Sequence, residues 1–121
     1  MKSQWIVHKD RKILFADYAN FKMDHESLKI EVDYITDILL NEPEKSVLLL
    51  VDVRETAGIP EITDCLKNSA LKVKNHVSKT AIVGVEGYRR FLLKAVAVFS
   101  GMQLTPIDDL EKAKDWLIED E

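Results

Sequence analysis

The spacing of apolar residues in the first half of the chain predicts two strands, a helix and a third strand. Apolar residues in segments 5–8 and 12–18 flank a short polar turn, and this pattern favours a β-hairpin. In segment 25–41 the apolar residues recur at helical spacing, and Asp24 before it can cap the helix. The run VLLLV within segment 46–53 does not alternate with polar residues, which is typical of a central strand covered on both faces.

The second half of the chain alternates helices and strands. Pro60 suits the first turn of a helix whose apolar stripe extends to Val77. A buried strand is predicted at 80–85, a helix at 87–99 and a short strand at 103–105. Asp108 and Glu111 have the spacing of a capping box at the start of the last helix. The order β-β-α-β-α-β-α-β-α predicts an α/β fold with a mixed, mainly parallel sheet, an N-terminal β-hairpin and four helices.

The length and composition are those of one soluble domain. A chain of 121 residues corresponds to a single domain, 1–121, and its 46% apolar and 31% charged residues are ordinary globular usage. A net charge of −4 argues against a nucleic-acid partner, because phosphate binding needs a basic face. The single Cys65 excludes a disulfide framework within the chain and fits a reducing cytoplasm. No apolar run approaches the ~20 residues of a membrane span, so we expect a cytoplasmic protein.

Recognisable catalytic signatures are absent from the sequence, so we do not expect an enzyme. Asp52 ends a predicted strand, as in a receiver domain, but only one helix lies between Asp17 and this strand, so one strand–helix unit of such a domain is missing. Glu86 also stands where a receiver domain has a hydroxyl residue. The sequence contains no nucleophile elbow, dinucleotide-binding motif or phosphate-binding loop. Its histidines have no partner at metal-ligand spacing, so neither a metal nor a cofactor is expected.

The helix predicted at 87–99, within GYRRFLLKAVAVFSG, has more apolar residues than one buried face requires. A continuous arc is assigned to the core and consists of Tyr88, Phe91, Leu92, Ala95, Val96, Val98 and Phe99. Leu93 and Ala97 then lie outside the core, among the basic residues Arg89, Arg90 and Lys94. A mixed basic and apolar surface is typical of a helix at a membrane interface or on a partner. Alternatively, the terminal helix or a second copy of the chain covers Leu93.

A second candidate site is the loop 54–58, which follows the predicted central strand and precedes a helix. Ligands of open α/β sheets bind at such strand ends, so Arg54, Thr56 and Gly58 are candidate contact residues. Thr56 is also a candidate phosphoacceptor, because the N-terminus of the next helix would stabilise the added charge. The simpler alternative is that Thr56 is an ordinary loop or capping residue.

Three segments and the opening hairpin resemble the SpoIIAA-like family of the STAS fold, which is related to anti-sigma-factor antagonists. The segments are SVLLLVDV at 46–53, KTAIVGVEGYRRFLLKAVAVFSG at 79–101 and PIDDLEKAKDWL at 106–117. The resemblance covers nearly the whole chain and implies a STAS-like fold. The family is also similar in outline to CRAL-TRIO lipid-binding domains. That similarity implies membrane association, or binding of an apolar ligand under movable helices.

Anti-sigma-factor antagonists are switched by phosphorylation of a serine directly before a glycine, in a motif of the type Asp-Ser-Ser/Thr-Gly. Matching Gly58 to that glycine puts Ala57 at the acceptor position, with Glu55 and Thr56 before it. The acceptor is therefore missing at this register. Thr56 becomes the acceptor if the loop is shifted by one residue.

These observations give three functional hypotheses. The first is a cytoplasmic, non-catalytic interaction or signalling module that binds a protein partner, or a second copy as a homodimer, through the loop 54–58 and the helix 87–99. The second is a carrier or sensor of an apolar small molecule that lies under this helix, with peripheral contact to a membrane surface. The third and weakest is an enzyme that uses Asp52 or Glu86 as a base.

Overall fold

The computed structural model describes residues 1–119 and contains five strands and four helices among them. The strands are β1 (Gln4–His8), β2 (Arg11–Asp17), β3 (Val47–Asp52), β4 (Val77–Val83) and β5 (Thr105–Pro106). The helices are α1 (His25–Leu40), α2 (Pro60–Val73), α3 (Arg89–Ser100) and α4 (Leu110–Ile118). This order confirms the predicted α/β class and is consistent with the STAS fold. Within residues 1–119, no helix combines the length and the hydropathy that a membrane crossing requires.

The sheet has the strand order β1-β2-β3-β4-β5, with β1 antiparallel to β2 and the other neighbours parallel. Lys9 and Asp10 form the hairpin turn with left-handed φ values of 48° and 68°. A two-residue turn of this kind matches the twist of its strands. β3 is the middle strand, and all of its residues are buried. Its continuous apolar run follows from this position, because helices cover both faces of the sheet.

Two hydrophobic clusters join the sheet to its helices. On one face, α1, α2 and α3 cover a cluster whose buried members include Leu14, Ala16, Leu28, Ile35, Leu49, Val51, Ile62 and Ile82. On the other face, α4 packs through Ala113 and Leu117 against a second cluster that includes Ile13, Leu50 and Val83. α3 packs chiefly against α2 rather than against the strands, whereas α4 packs directly on β3 and β4.

Several element boundaries differ from those predicted. β4 begins at Val77 rather than at residue 80, so Val77 belongs to the sheet and not to the stripe of α2. α3 begins at Arg89 rather than at residue 87, because the φ of Gly87 is 58° and lies outside the helical region. Asp109, not Asp108, caps α4, and its carboxylate accepts the capping hydrogen bond at 3.0 Å. β5 begins two residues later than predicted.

Candidate binding site

The helix α3 is rotated relative to the predicted orientation. Leu93, which was expected on the surface, packs against the larger core cluster. Phe91 and Val98, which were assigned to the core, are 76% and 81% exposed, and Tyr88 and Phe99 are exposed as well. The assignment of the apolar arc to the core was therefore wrong for Tyr88, Phe91, Val98 and Phe99, whereas Val96 is buried as expected.

Polar residues on the inner side of α3 explain this orientation. The Arg89 guanidinium donates to the carbonyl oxygens of Thr56 at 2.8 Å and of Gly84 at 3.3 Å. The buried Ser100 hydroxyl donates to the Val96 carbonyl at 2.7 Å. The Arg89 bonds reach outside the helix and the Ser100 bond lies within it, so both polar residues can lie on the inner side of α3. The helix therefore turns Arg89 and Ser100 inward and its aromatic residues outward.

The loop 54–58 is held by the segment that follows β2. Backbone hydrogen bonds of 2.8 to 2.9 Å join it to residues 20 and 22. The Thr56 hydroxyl donates to the Tyr18 carbonyl at 2.6 Å and accepts from the Phe21 N–H at 3.1 Å. Thr56 is only 6% exposed. Phosphorylation of Thr56 would require both bonds to break, so the geometry favours the simpler alternative of a structural loop residue.

Asp52 is buried at the end of β3 and is paired with Arg54. Its Oδ1 accepts from the Arg54 Nε and backbone N–H at 3.0 and 3.1 Å, and its Oδ2 accepts from an η nitrogen at 2.8 Å. The hydrogen bonds and charge of Asp52 raise the pKa of Arg54. Both oxygens of the candidate base therefore hold the loop in place, whereas the other candidate base, Glu86, is exposed in the turn before α3.

A cavity of about 130 Å³ lies beneath α3, between α1, α2 and the sheet. Because α3 packs chiefly against α2, space remains between this helix and the strands. Most of the wall is apolar and includes Leu28, Ile35, Val51, Leu66, Leu93 and Met102. Two buried polar atoms of wall residues, Thr80 Oγ1 and Arg89 Nε, have no hydrogen-bond partner in the described part of the chain.

An open groove runs beside the N-terminal half of α3 and meets the cavity at Arg89 and Leu93, which line both. Thr56 and Gly58 line the cavity. Tyr88 lies against the loop, where its hydroxyl accepts from the Gly58 N–H at 3.4 Å. The remaining predicted contact residues line the groove and are Arg54, Arg90, Lys94 and Ala97. All nine predicted positions therefore lie on α3, in the turn before it or in the loop beside it.

Sequence reasoning missed three residues of this region, Thr80, Phe91 and Val98. Thr80 had a signal, because it is a hydroxyl residue beside the apolar run AIV of a buried strand. Phe91 and Val98 had none, because the same helical spacing fits an inward or an outward orientation.

Comparison with known proteins identifies a family. The family model described as SpoIIAA-like matches residues 14–118, from within β2 through α4. No curated protein and no solved structure matches the chain significantly.

Proposed function

This chain belongs to the SpoIIAA-like family, and from that premise we propose that it is a non-catalytic module that binds a protein partner through α3. The observation that carries this proposal is the exposed apolar side of α3. Tyr88, Phe91 and Val98 are exposed and follow one another at helical spacing, and Lys94 lies between them. We call these four residues the outer stripe. Apolar residues grouped on the surface of a folded chain are typical of an interaction site.

The charge of α3 indicates which kind of partner fits. The helix contains Arg89, Arg90 and Lys94 and no acidic residue, although the chain has a net charge of −4. The groove beside the helix has mixed charge, because Arg54 is paired with Asp52 and the groove is also lined by Glu55, Glu86 and Asp108. Basic groups around an apolar patch complement a partner whose apolar docking site has an acidic margin. The proposed partner is therefore an acidic protein surface.

A photoreactive phenylalanine analogue at position 91, introduced in cells that produce the protein, tests this function. We expect a crosslinked product of defined mass from position 91. We expect none from position 30 on α1, where the native Ile30 is 56% exposed and provides a matched control. Val98→Asp should abolish the product while the unfolding transition stays unchanged. Equal crosslinking at both positions would contradict the proposal, and a product of twice the chain's mass would identify a homodimer.

The cavity beneath α3 favours a second function, the carriage or sensing of an apolar small molecule. Its volume of about 130 Å³ is close to that of an engineered apolar cavity of about 150 Å³ that binds benzene. The N-terminal end of α3 is held by the bonds from Arg89 to the Thr56 and Gly84 carbonyls. Breaking these bonds would free one end of the helix that covers the cavity. The outer stripe would then provide peripheral contact with a membrane surface.

Native mass spectrometry of freshly purified protein, compared with the denatured sample, tests the carrier function. We expect extra mass that disappears on denaturation. Ala70→Leu enlarges a side chain of the cavity wall and should remove this mass. If both proteins show only the mass of the polypeptide, the result counts against a retained ligand.

Sedimentation with anionic vesicles tests the membrane contact. Phe91→Ser should reduce the fraction of protein that sediments with the vesicles, whereas Ile30→Ser should not.

A further inference from the structure

Thr80 is a buried residue whose hydroxyl has no hydrogen-bond partner among residues 1–119. It lies in β4, is 2% exposed and lines the cavity beneath α3. Buried hydroxyls are nearly always hydrogen-bonded, because a buried hydroxyl without a partner destabilises the folded state. Thr63 on the same wall follows this rule and donates to the Ile59 carbonyl at 3.1 Å. Thr80 therefore offers a molecule in the cavity an unused donor and acceptor.

Arg89 supplies a positive charge at the edge of the same cavity. Its η nitrogens donate to backbone carbonyls, and its Nε is buried without a partner. Within the described residues, no carboxylate lies at ion-pair distance from Arg89. Arg89 lines both the cavity and the open groove, so its charge stands where the two spaces meet. A guanidinium binds a carboxylate more strongly than it binds a neutral acceptor.

These two polar groups lie at different depths in the cavity. Thr80 precedes Gly84, whose carbonyl binds Arg89, by four residues. Thr80 lies three residues before the end of β4 at Val83, and three residues of extended strand span ~10 Å. One carboxylate therefore does not reach both groups, and a molecule that uses both needs an apolar body between two polar ends.

We propose that the cavity binds a small amphipathic carboxylic acid with a further oxygen at the far end of its apolar chain. The carboxylate lies at Arg89 near the groove, the chain lies beneath α3, and the far oxygen contacts the Thr80 hydroxyl. This inference rests on the carrier function proposed above and names the chemical class of the ligand.

Isothermal titration calorimetry with three probes of equal chain length tests this assignment. The expected order of affinity is ω-hydroxyoctanoate, then octanoate, then octan-1-ol. Arg89→Gln should weaken both acids about tenfold and leave octan-1-ol unchanged, since the lost bond is charge-assisted. Lys72→Gln, at an exposed cation of α2 that lines neither the cavity nor the groove, should change the affinity of neither acid. Thr80→Val should weaken ω-hydroxyoctanoate about fivefold and leave octanoate unchanged.

The possible failures of this experiment are distinguishable. Equal affinity for octanoate and octan-1-ol, or acid binding that Arg89→Gln leaves intact, overturns the proposed ligand class but not the carrier function. Binding of none of the three probes, or binding that Ala70→Leu does not reduce, overturns both. Thr80→Val removes no contact that holds the fold, so its effect is measurable even if Arg89→Gln loosens α3.

Discussion

Replacing Thr80 by valine should raise the free energy of unfolding. The substitution keeps the branched shape of the side chain and replaces the hydroxyl by a methyl group. The hydroxyl is buried in β4 and forms no hydrogen bond with any residue of the described chain. Burial of an unpaired hydroxyl costs about 1–3 kcal/mol, and this cost disappears in the variant. Valine also suits a strand. We therefore expect a gain of about 1–3 kcal/mol.

Urea unfolding followed by circular dichroism measures this gain on protein refolded without ligand. For a chain of this length, each 1 kcal/mol corresponds to roughly 3–6 °C in Tm. Thr63→Val is the matched control, because its hydroxyl lines the same cavity but donates to the Ile59 carbonyl at 3.1 Å. The control should lose about 0.5–1.5 kcal/mol. If Thr80→Val is no more stable than the unmodified protein, its hydroxyl already has a partner, and the reasoning is refuted.

Other substitutions and modifications test the contacts around the site. Gly84→Ala should cost about 2 kcal/mol or more, because φ is 99° and a Cβ there would lie 2.7 Å from the Arg54 nitrogen. Gly87→Ala, with a φ of 58° and open space around it, should cost only about 1 kcal/mol by the same unfolding assay. Glu31→Ala should cost about 1.5–3 kcal/mol and speed amide exchange at residue 3, whose N–H donates to the buried carboxylate at 2.7 Å. Burial raises the pKa of the Cys65 thiol, so less thiolate is present at mildly alkaline pH. A thiol reagent should therefore react more slowly with the folded than with the urea-unfolded protein, and equal rates would contradict this.

The fold could be predicted because its signals are local. The Asp24 carboxylate accepts from the Ser27 N–H at 3.2 Å, within the first turn of the helix that it caps. Pro60 is the first residue of α2. The apolar run of β3 reflects the two helical layers that cover it. Each signal depends on a few neighbouring residues, so it can be identified without knowledge of the rest of the chain.

The orientation of α3 could not be predicted in the same way. Apolar residues occur on most sides of this helix. The burial of apolar surface alone therefore does not determine which side of the helix faces the core. The bond from Arg89 to the Thr56 carbonyl contributes to the choice, and these residues are 33 positions apart. The cavity likewise results from the packing of α3 on α2. Both features depend on tertiary contacts that leave no periodic signal in the sequence.

Thr80 connects the stability of this protein with its proposed binding function. Its unpaired hydroxyl destabilises the folded state without ligand, and a ligand oxygen at the same position would recover that free energy on binding. The same Thr80→Val variant should therefore unfold at higher urea concentration and bind ω-hydroxyoctanoate more weakly. A residue that only fills space would not link these two changes. If Thr80→Val stabilises the protein while its affinity for all three probes is unchanged, the hydroxyl is a packing defect and the far end of the ligand lies elsewhere.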